Sequence, residues 1–255
     1  MTDKKSSTTK HKLTKRILWA VFYTVLVVAA FFGAQLLLVA LVYVLKTIGV
    51  PLEAFNNTVL LFSLSAMTYA LALVVVLLIS SRIDKSSSVK KDLGIQRLLS
   101  WGDIFAGVLS FIPYVILSAV VITVASGIIP GFDIAQKQDV GFENLVSSME
   151  MMLAFLALVV IAPLVEELLF RGYLYTKLKK YLGMAAGIIL VSVVFGVMHG
   201  QLNVGVDTFV LSVVLCGLRE ITGSVWAGVV LHMAKNGLAF YLLFVNPSLI
   251  STMGM

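Results

Sequence analysis

Two adjacent carboxylates and an arginine lie within the otherwise apolar stretch 163–175, at Glu166, Glu167 and Arg171. A charge at the bilayer centre costs about 2.5–3.5 kcal/mol on insertion scales, so such groups need partners or a function. Glu167 and Arg171 are four residues apart and can pair on one helix face. Glu166 points about 100° away from Glu167 around the helix, with no partner in its own segment. We therefore interpret Glu166 as a functional carboxylate; the alternative is that the charges only tie helices together.

Two of the three histidines also lie in apolar helical stretches. Phe195 precedes His199 by four residues, and His232 precedes Asn236 by four, so each pair shares one helix face. A single histidine in a helix is usually a satisfied structural residue. Two histidines, an asparagine and a carboxylate pair in a lipid-embedded chain instead indicate a functional site. The third histidine, His11, belongs to the polar N-terminal tail and is not part of this set.

The spacing along the chain predicts that these groups lie at one depth. Gly183, at the predicted turn between two helices, is 17 residues after Glu166 and 16 residues before His199. At 1.5 Å per residue, both lie about 25 Å from that turn in an antiparallel hairpin. His232 lies about 15 Å from the next turn, and the levels agree if the basic 176–182 segment extends about 10 Å into the cytoplasm. We therefore expect one cavity, opening toward the cytoplasmic half of the membrane.

Hydrolysis of an amide bond is the chemistry that these side chains suit. A carboxylate and a histidine can hold and deprotonate a water molecule, and a histidine with an asparagine can donate hydrogen bonds to an oxyanion. A catalytic zinc site, with His199, His232 and Glu166 as ligands, remains a second interpretation. Asn236 favours the metal-free form slightly, because asparagine is a poor zinc ligand and a good oxyanion donor.

The composition places this set in a polytopic membrane protein. The chain has 255 residues, of which 60% are hydrophobic and 13% are charged, and its mean hydropathy is +1.02. Such values predict an all-α transmembrane bundle. The single cysteine, Cys216, excludes a disulfide framework and a Cys-x-x-Cys metal site. About seven spans are predicted, at residues 17–45, 59–80, 104–126, 149–182, 184–198, 206–218 and 224–245.

The distribution of charge predicts the topology. Residues 1–16 are polar and basic and are expected to form a disordered cytoplasmic tail, followed by one transmembrane domain over residues 17–255. The net charge of +6 comes from lysines and arginines in the tail and loops, which are topology signals and do not indicate a nucleic-acid partner. The connection 127–148, with Asp133, Asp139 and Glu143, is acidic and is expected outside. The basic segments expected inside are the tail, 81–103, 176–182 and Arg219.

Three motifs, in this order on separate predicted helices, resemble those of the CPBP intramembrane proteases. This family, also called Abi, contains the relatives of the type II CAAX prenyl endopeptidase and is conventionally called metal-dependent. The resemblance covers about residues 163–240, without departure in the motifs, within a protease-like core at about 149–245. The motifs are Glu166-Glu167-x-x-x-Arg171, Phe195-x-x-x-His199 and His232-x-x-x-Asn236.

The resemblance implies an intramembrane endopeptidase of the cell membrane that cleaves membrane-associated peptides or proteins. It implies that Glu166 activates water with His199 and that His232 and Asn236 stabilise the tetrahedral intermediate. Glu167, Arg171 and Phe195 would support them.

Two alternatives remain: a non-catalytic Abi-type scaffold or immunity protein, and an ion-coupled transporter with a Glu–His relay. The transporter would require inverted repeats, which the sequence does not show.

Two further charged residues lie in predicted helices. Lys235 is expected to pair with an acidic neighbour or to extend its amine to the interface. Asp207 is expected near the membrane surface, either solvated or at a helix start. Neither residue is assigned to the chemistry.

Overall fold

The computed structural model of this chain describes residues 2–83, 88–136, 140–142 and 145–248. These residues form helices and connections and contain no strand, which confirms the predicted all-α class. Asp139 and Glu143 of the acidic connection lie outside the described residues. The helices are α1 (Thr2–Thr47), α2 (Asn57–Ile83), α3 (Val89–Asp92), α4 (Trp101–Leu109), α5 (Phe111–Ile128), α6 (Ser148–Leu182), α7 (Met184–Val197), α8 (Leu202–Thr222) and α9 (Trp226–Val245).

Each of the seven predicted spans contains a helix, but fewer of them are long and apolar enough to cross a membrane. In the described part of the chain, five candidates meet both conditions. Of the other two helices, α7 is apolar but has only 14 residues. Helix α8 has 21 residues but includes Asp207, Arg219 and Glu220, which lower its hydropathy. The chain is therefore a multi-pass membrane protein, and the count of seven spans remains a prediction. The candidate spans are α1 from His11, α2, α4 with α5, α6 and α9.

Helix α1 extends further toward the N-terminus than the composition predicts. Residues 2–16, expected to be a disordered tail, lie in its first turns. Neither glycine nor proline occurs before Gly33, and lysine and arginine are good helix formers, so the apolar helix propagates through the basic segment. Arg16 then donates a hydrogen bond from Nε to the carbonyl of Tyr181 (2.6 Å), which ties α1 to the end of α6.

The bundle has two ends, which we name by their charge. At the basic end, α2 ends at Ile83 and α6 ends at Leu182. At the acidic end, α5 ends at Ile128 and α9 ends at Val245. The short helices α4 and α5 run between the two ends and are separated by Ser110.

The sequence predicts a regular α-helix for α6, but the structure departs from it. Two π-helical segments, Leu156–Ile161 and Glu167–Leu174, flank one α-helical turn that ends at Glu166. In the first segment the amide of Ala162 bonds to the carbonyl five residues earlier. The same pattern would pair the Leu158 carbonyl with residue 163, a proline without an N–H. The Leu158 carbonyl is therefore available to a side chain of another helix.

The half of α6 that follows Glu166 is almost completely buried. In this half, residues 169–171, 173 and 174 are at most 2% exposed, and they include Arg171 at 0%. Helices α1 and α7 pack against its last turns. On the basic side, Lys177 forms a buried ion pair with Asp92 of α3 (Nζ–Oδ2, 2.9 Å). These contacts make the basic half of α6 a tightly packed core.

Gly172 is where this core is closest to another backbone. A Cβ atom at Gly172 would lie 2.3 Å from the carbonyl oxygen of Leu93, directly after α3. We expect Gly172→Ala to lower the free energy of unfolding by about 1–3 kcal/mol, the usual cost of overpacking. Thermal unfolding in detergent measures the effect. In the control Gly33→Ala, a Cβ meets nothing within 4 Å, and the unfolding temperature should be equal or higher. Unchanged stability of Gly172→Ala would contradict the close contact.

Candidate active site

One cavity of about 220 Å³ contains the four residues that the sequence analysis predicts as catalytic. Helices α6 and α9 supply Glu166, His232 and Asn236, and His199 follows the last turn of α7. The rest of the wall is mainly apolar and aromatic. Residues from three separated motifs are therefore within one concave site, which is the arrangement that the proposed chemistry requires.

Glu166 has a partner on another helix that the sequence analysis does not identify. The Tyr69 hydroxyl of α2 donates a hydrogen bond to Glu166 Oε1 (2.6 Å). The second oxygen, Oε2, lies 3.7 Å from His232 Nε2. The Tyr69 ring packs against Phe31 of α1 at 5.6 Å between ring centroids. Tyr69 is the one tyrosine of its apolar span, which could have indicated a polar partner, but the sequence does not show which helix it faces.

One carboxylate oxygen of Glu167 contacts both Arg171 and His232. Its Oε1 atom lies 2.9 Å from Arg171 Nη1 and 2.9 Å from His232 Nδ1. The Glu167 and Arg171 side chains are both 0% exposed, and the i,i+4 pair predicted from the sequence is present. The Arg171 guanidinium also lies 4.1 Å from the centre of the Phe195 ring, in a cation–π contact. Glu167, Arg171 and Phe195 thus form one buried group, and Glu167 of this group contacts His232.

Hydrogen bonds define which nitrogen of each histidine is available for chemistry. His199 Nδ1 lies 2.7 Å from the carbonyl oxygen of Phe195. His232 Nδ1 lies 2.9 Å from Glu167 Oε1. Both partners can only accept, so Nδ1 carries the proton in each ring. Nε2 is then the atom of each ring that can act on water or substrate.

Asn236 is oriented by the irregular part of α6. Its Nδ2 atom donates a hydrogen bond to the Leu158 carbonyl (2.9 Å), the group left available by the π-helical segment before Pro163. A carbonyl oxygen only accepts, so the NH₂ group of the amide must face α6. The second N–H of this group remains for a ligand in the cavity.

A second polar cluster lies beside the cavity, between α5, α8 and α9. Asp207 accepts hydrogen bonds from the hydroxyls of Tyr114 (2.8 Å) and Ser118. Lys235, which also lines the cavity, lies 3.5 Å from Asp207 (Nζ–Oδ2). The predicted pairing of Lys235 with an acidic neighbour is confirmed. The expectation that Asp207 is solvated or only starts a helix is wrong, because three side chains from two helices surround its carboxylate.

The donor set does not form a ready metal site. Among the residues that the structure describes, no three side chains of His, Cys, Asp or Glu are grouped closely enough to hold a metal ion. Glu166, His199 and His232 line the same cavity, and the Nδ1 contacts of both rings leave each Nε2 open, as in zinc sites, but the three side chains are not grouped closely enough to share one ion. In this arrangement the residues do not fit the three-ligand zinc site that the sequence also allows.

The cavity extends toward the acidic end of the bundle. On the other side of Glu166, the packed half of α6 closes it. Whether this direction agrees with the expected opening toward the cytoplasmic half depends on which membrane face the acidic end meets. The spacing of Glu166 and His199 about Gly183 predicts only their depth along the helices. The packing of side chains between the helices decides on which side of Glu166 the cavity continues. The lining residues that mark the direction are Leu158 and Ala162 of α6, Ala239, Leu243 and Phe244 of α9, and Val140 of the α5–α6 connection.

Comparison with known proteins agrees with the resemblance of the motifs. Residues 148–238 match the family described as type II CAAX prenyl endopeptidase Rce1-like. Comparisons with curated proteins and with solved structures gave no match. The matched segment includes Glu166, His199, His232 and Asn236, but it does not include Tyr69. Over residues 148–238, this chain is therefore similar to the Rce1-like type II CAAX prenyl endopeptidases, a protease family.

Proposed function

We propose that this protein is an intramembrane endopeptidase that hydrolyses peptide bonds of membrane-associated peptides or proteins. The observation that carries the proposal is the position of Glu166, which shares a cavity with two histidines and an asparagine. The Rce1-like family of residues 148–238 supports the same reaction class. We also propose that the N-terminus is cytoplasmic, since the basic end of the bundle carries most of the lysines and arginines.

In the proposed first step, Glu166 and His199 activate a water molecule. Tyr69 holds Glu166 Oε1, so Oε2 is the oxygen that accepts the proton from water. His199 Nε2 accepts a second hydrogen bond from the same water and orients it. The water oxygen forms a bond to the carbonyl carbon of the substrate. When the C–N bond of the tetrahedral intermediate breaks, the proton on Glu166 passes to the leaving amine.

His232 and Asn236 are the proposed oxyanion donors. Asn236 donates from the N–H that the Leu158 carbonyl does not use. His232 donates from Nε2, which requires protons on both ring nitrogens. The Glu167 carboxylate, at 2.9 Å from Nδ1, orients the ring for this donation. Donors held by the protein stabilise charge that develops in the transition state without reorganisation.

A comparison of membrane proteomes tests the proposal. Cells that produce the native protein should contain fragments of at least one membrane protein that are missing from cells with Glu166→Gln. A non-catalytic scaffold predicts no difference in fragments between the two. If the native protein and Glu166→Gln were present at equal levels and the two sets of membranes contained identical fragments, the proposed endopeptidase would be contradicted.

Asn236→Ala is expected to lower kcat by about 10²–10³, the usual loss for one of two oxyanion donors. The variant also loses the hydrogen bond to Leu158, so thermal unfolding is measured in parallel. Leu238→Ala is the matched control, because Leu238 lies on the same helix, is exposed on the bundle surface and does not line the cavity. It should retain its activity.

The same comparison separates the metal-free mechanism from a zinc mechanism. A Lewis acid would already stabilise the oxyanion, so the loss in Asn236→Ala would be smaller. Elemental analysis of the purified protein gives an independent measurement. One zinc per chain, lost together with activity in His199→Ala and His232→Ala, would overturn the metal-free mechanism.

A further inference from the structure

The catalytic groups are closed off from the basic end of the bundle. After Glu166, helix α6 continues through Phe170, Arg171 and Tyr173, which are at most 2% exposed. The Arg171 guanidinium is stacked on Phe195. Leu93, which follows α3, covers this half of α6 at Gly172, where not even a methyl group would fit. A substrate peptide has no path to Glu166 from this side without unpacking the core.

The other side of Glu166 is where the cavity continues. Two helices line it one turn after another toward the acidic end, α6 at Ala162 and Leu158 and α9 from His232 to Phe244. Val140 of the α5–α6 connection completes the wall. The Asn203 side chain donates to the Gln136 carbonyl (2.8 Å), which holds this connection against the start of α8. The cavity thus runs from the catalytic level to the acidic end.

The charges identify which membrane face the acidic end meets. Lysines and arginines near the ends of spanning helices remain on the cytoplasmic side. Among described residues, the basic end has Arg82, Lys90, Lys91, Arg97, Lys177, Lys179, Lys180 and Arg219, in addition to those of the N-terminal turns. At the acidic end the one described lysine, Lys46, lies 3.7 Å from Glu53. This asymmetry places the acidic end on the extracytoplasmic side.

We propose that the cavity receives its substrate from the extracytoplasmic face of the membrane. The substrate class is then a membrane protein or peptide that presents an apolar, extended segment at that face. The walls near the acidic end are apolar at Val140, Leu243 and Phe244, so they match such a segment. The term substrate rests on the proposed peptidase function, whereas the direction of access rests only on packing and charge.

Cysteine accessibility in sealed vesicles tests the direction. Ala239→Cys places a thiol in the cavity, and Lys180→Cys places one at the exposed basic end. The probe is a small, charged, membrane-impermeant maleimide. Cys216 is fully buried, so the native chain is the unlabelled baseline. Ala234→Cys, on the same helix as residue 239 but outside the cavity and exposed on the bundle surface, reports background reaction from the lipid phase.

We expect Ala239→Cys to be labelled in right-side-out vesicles and to lose that labelling in inside-out vesicles. Lys180→Cys should show the reverse, and Ala234→Cys should stay near baseline. Labelling of Ala239→Cys only from the inner face, or from neither face while the detergent-solubilised protein reacts, would overturn the proposal. So would outside labelling of Lys180→Cys.

The result does not depend on proteolysis. Ala239→Cys combined with Glu166→Gln should give the same labelling pattern in an inactive protein. A failed proteome comparison with outside labelling would refute the peptidase and leave the direction of access intact. If the proteome comparison found fragments but Ala239→Cys were labelled only from the inner face, the peptidase would stand and the direction of access would be refuted.

Discussion

Glu166→Gln is expected to remain folded and inserted and to lose peptide hydrolysis, with a rate about 10²–10⁴ lower, the usual contribution of a general base. The amide keeps the size of the side chain and can still accept the Tyr69 hydrogen bond of 2.6 Å. It cannot take a proton from water. Glu166 also lies outside the buried Glu167–Arg171 pair. The variant should therefore affect the reaction without affecting the unfolding temperature.

Hydrolysis of an apolar fluorogenic peptide by purified protein in detergent measures the rate. Glu150→Gln is the matched control, because Glu150 lies on the same helix, outside the cavity, where it caps the first turn. Glutamine preserves that capping interaction, so activity should be unchanged. If Glu166→Gln retained native activity, the assignment of Glu166 as the base would be wrong.

Glu167→Ala is expected to lower the free energy of unfolding by about 3–5 kcal/mol, the cost of breaking a buried ion pair by removing one partner. Arg171 would remain at 0% exposure without its carboxylate, since Glu167 Oε1 lies 2.9 Å from Nη1. The same substitution removes the acceptor of His232 Nδ1 at 2.9 Å. Residual folded protein should therefore also hydrolyse peptide more slowly, because His232 is no longer oriented.

Thermal unfolding in detergent and the yield of monodisperse protein measure the loss. The control is Glu220→Ala, which breaks the partly exposed pair with Lys179 (2.6 Å) and should cost about 0–1 kcal/mol. If Glu167→Ala were stable but inactive while Glu166→Ala were active, the two carboxylates would have exchanged roles. Equal losses in Glu167→Ala and Glu220→Ala would argue against a buried, energetically coupled pair.

Local properties of the chain were sufficient to predict the helices and the candidate residues. Long continuous apolar runs satisfy their backbone in a bilayer as helices, so the all-α class and the approximate positions of the spans follow from hydropathy along the chain. Glu167 and Arg171 pair because a four-residue spacing places them on one helix face. The depth of Glu166 and His199 follows from counting residues to Gly183. Their convergence in one cavity agrees with that count.

Contacts between distant parts of the chain decided the rest. Tyr69 meets Glu166 across 97 residues, and Glu167 meets His232 across 65, so no local pattern contains either contact. Asn236 meets the Leu158 carbonyl of α6 across 78 residues. The direction of the cavity depends on which half of α6 is packed by α1, α3 and α7. Helical periodicity is local, whereas the filling of space between helices is a property of the whole bundle, so only the tertiary structure contains it.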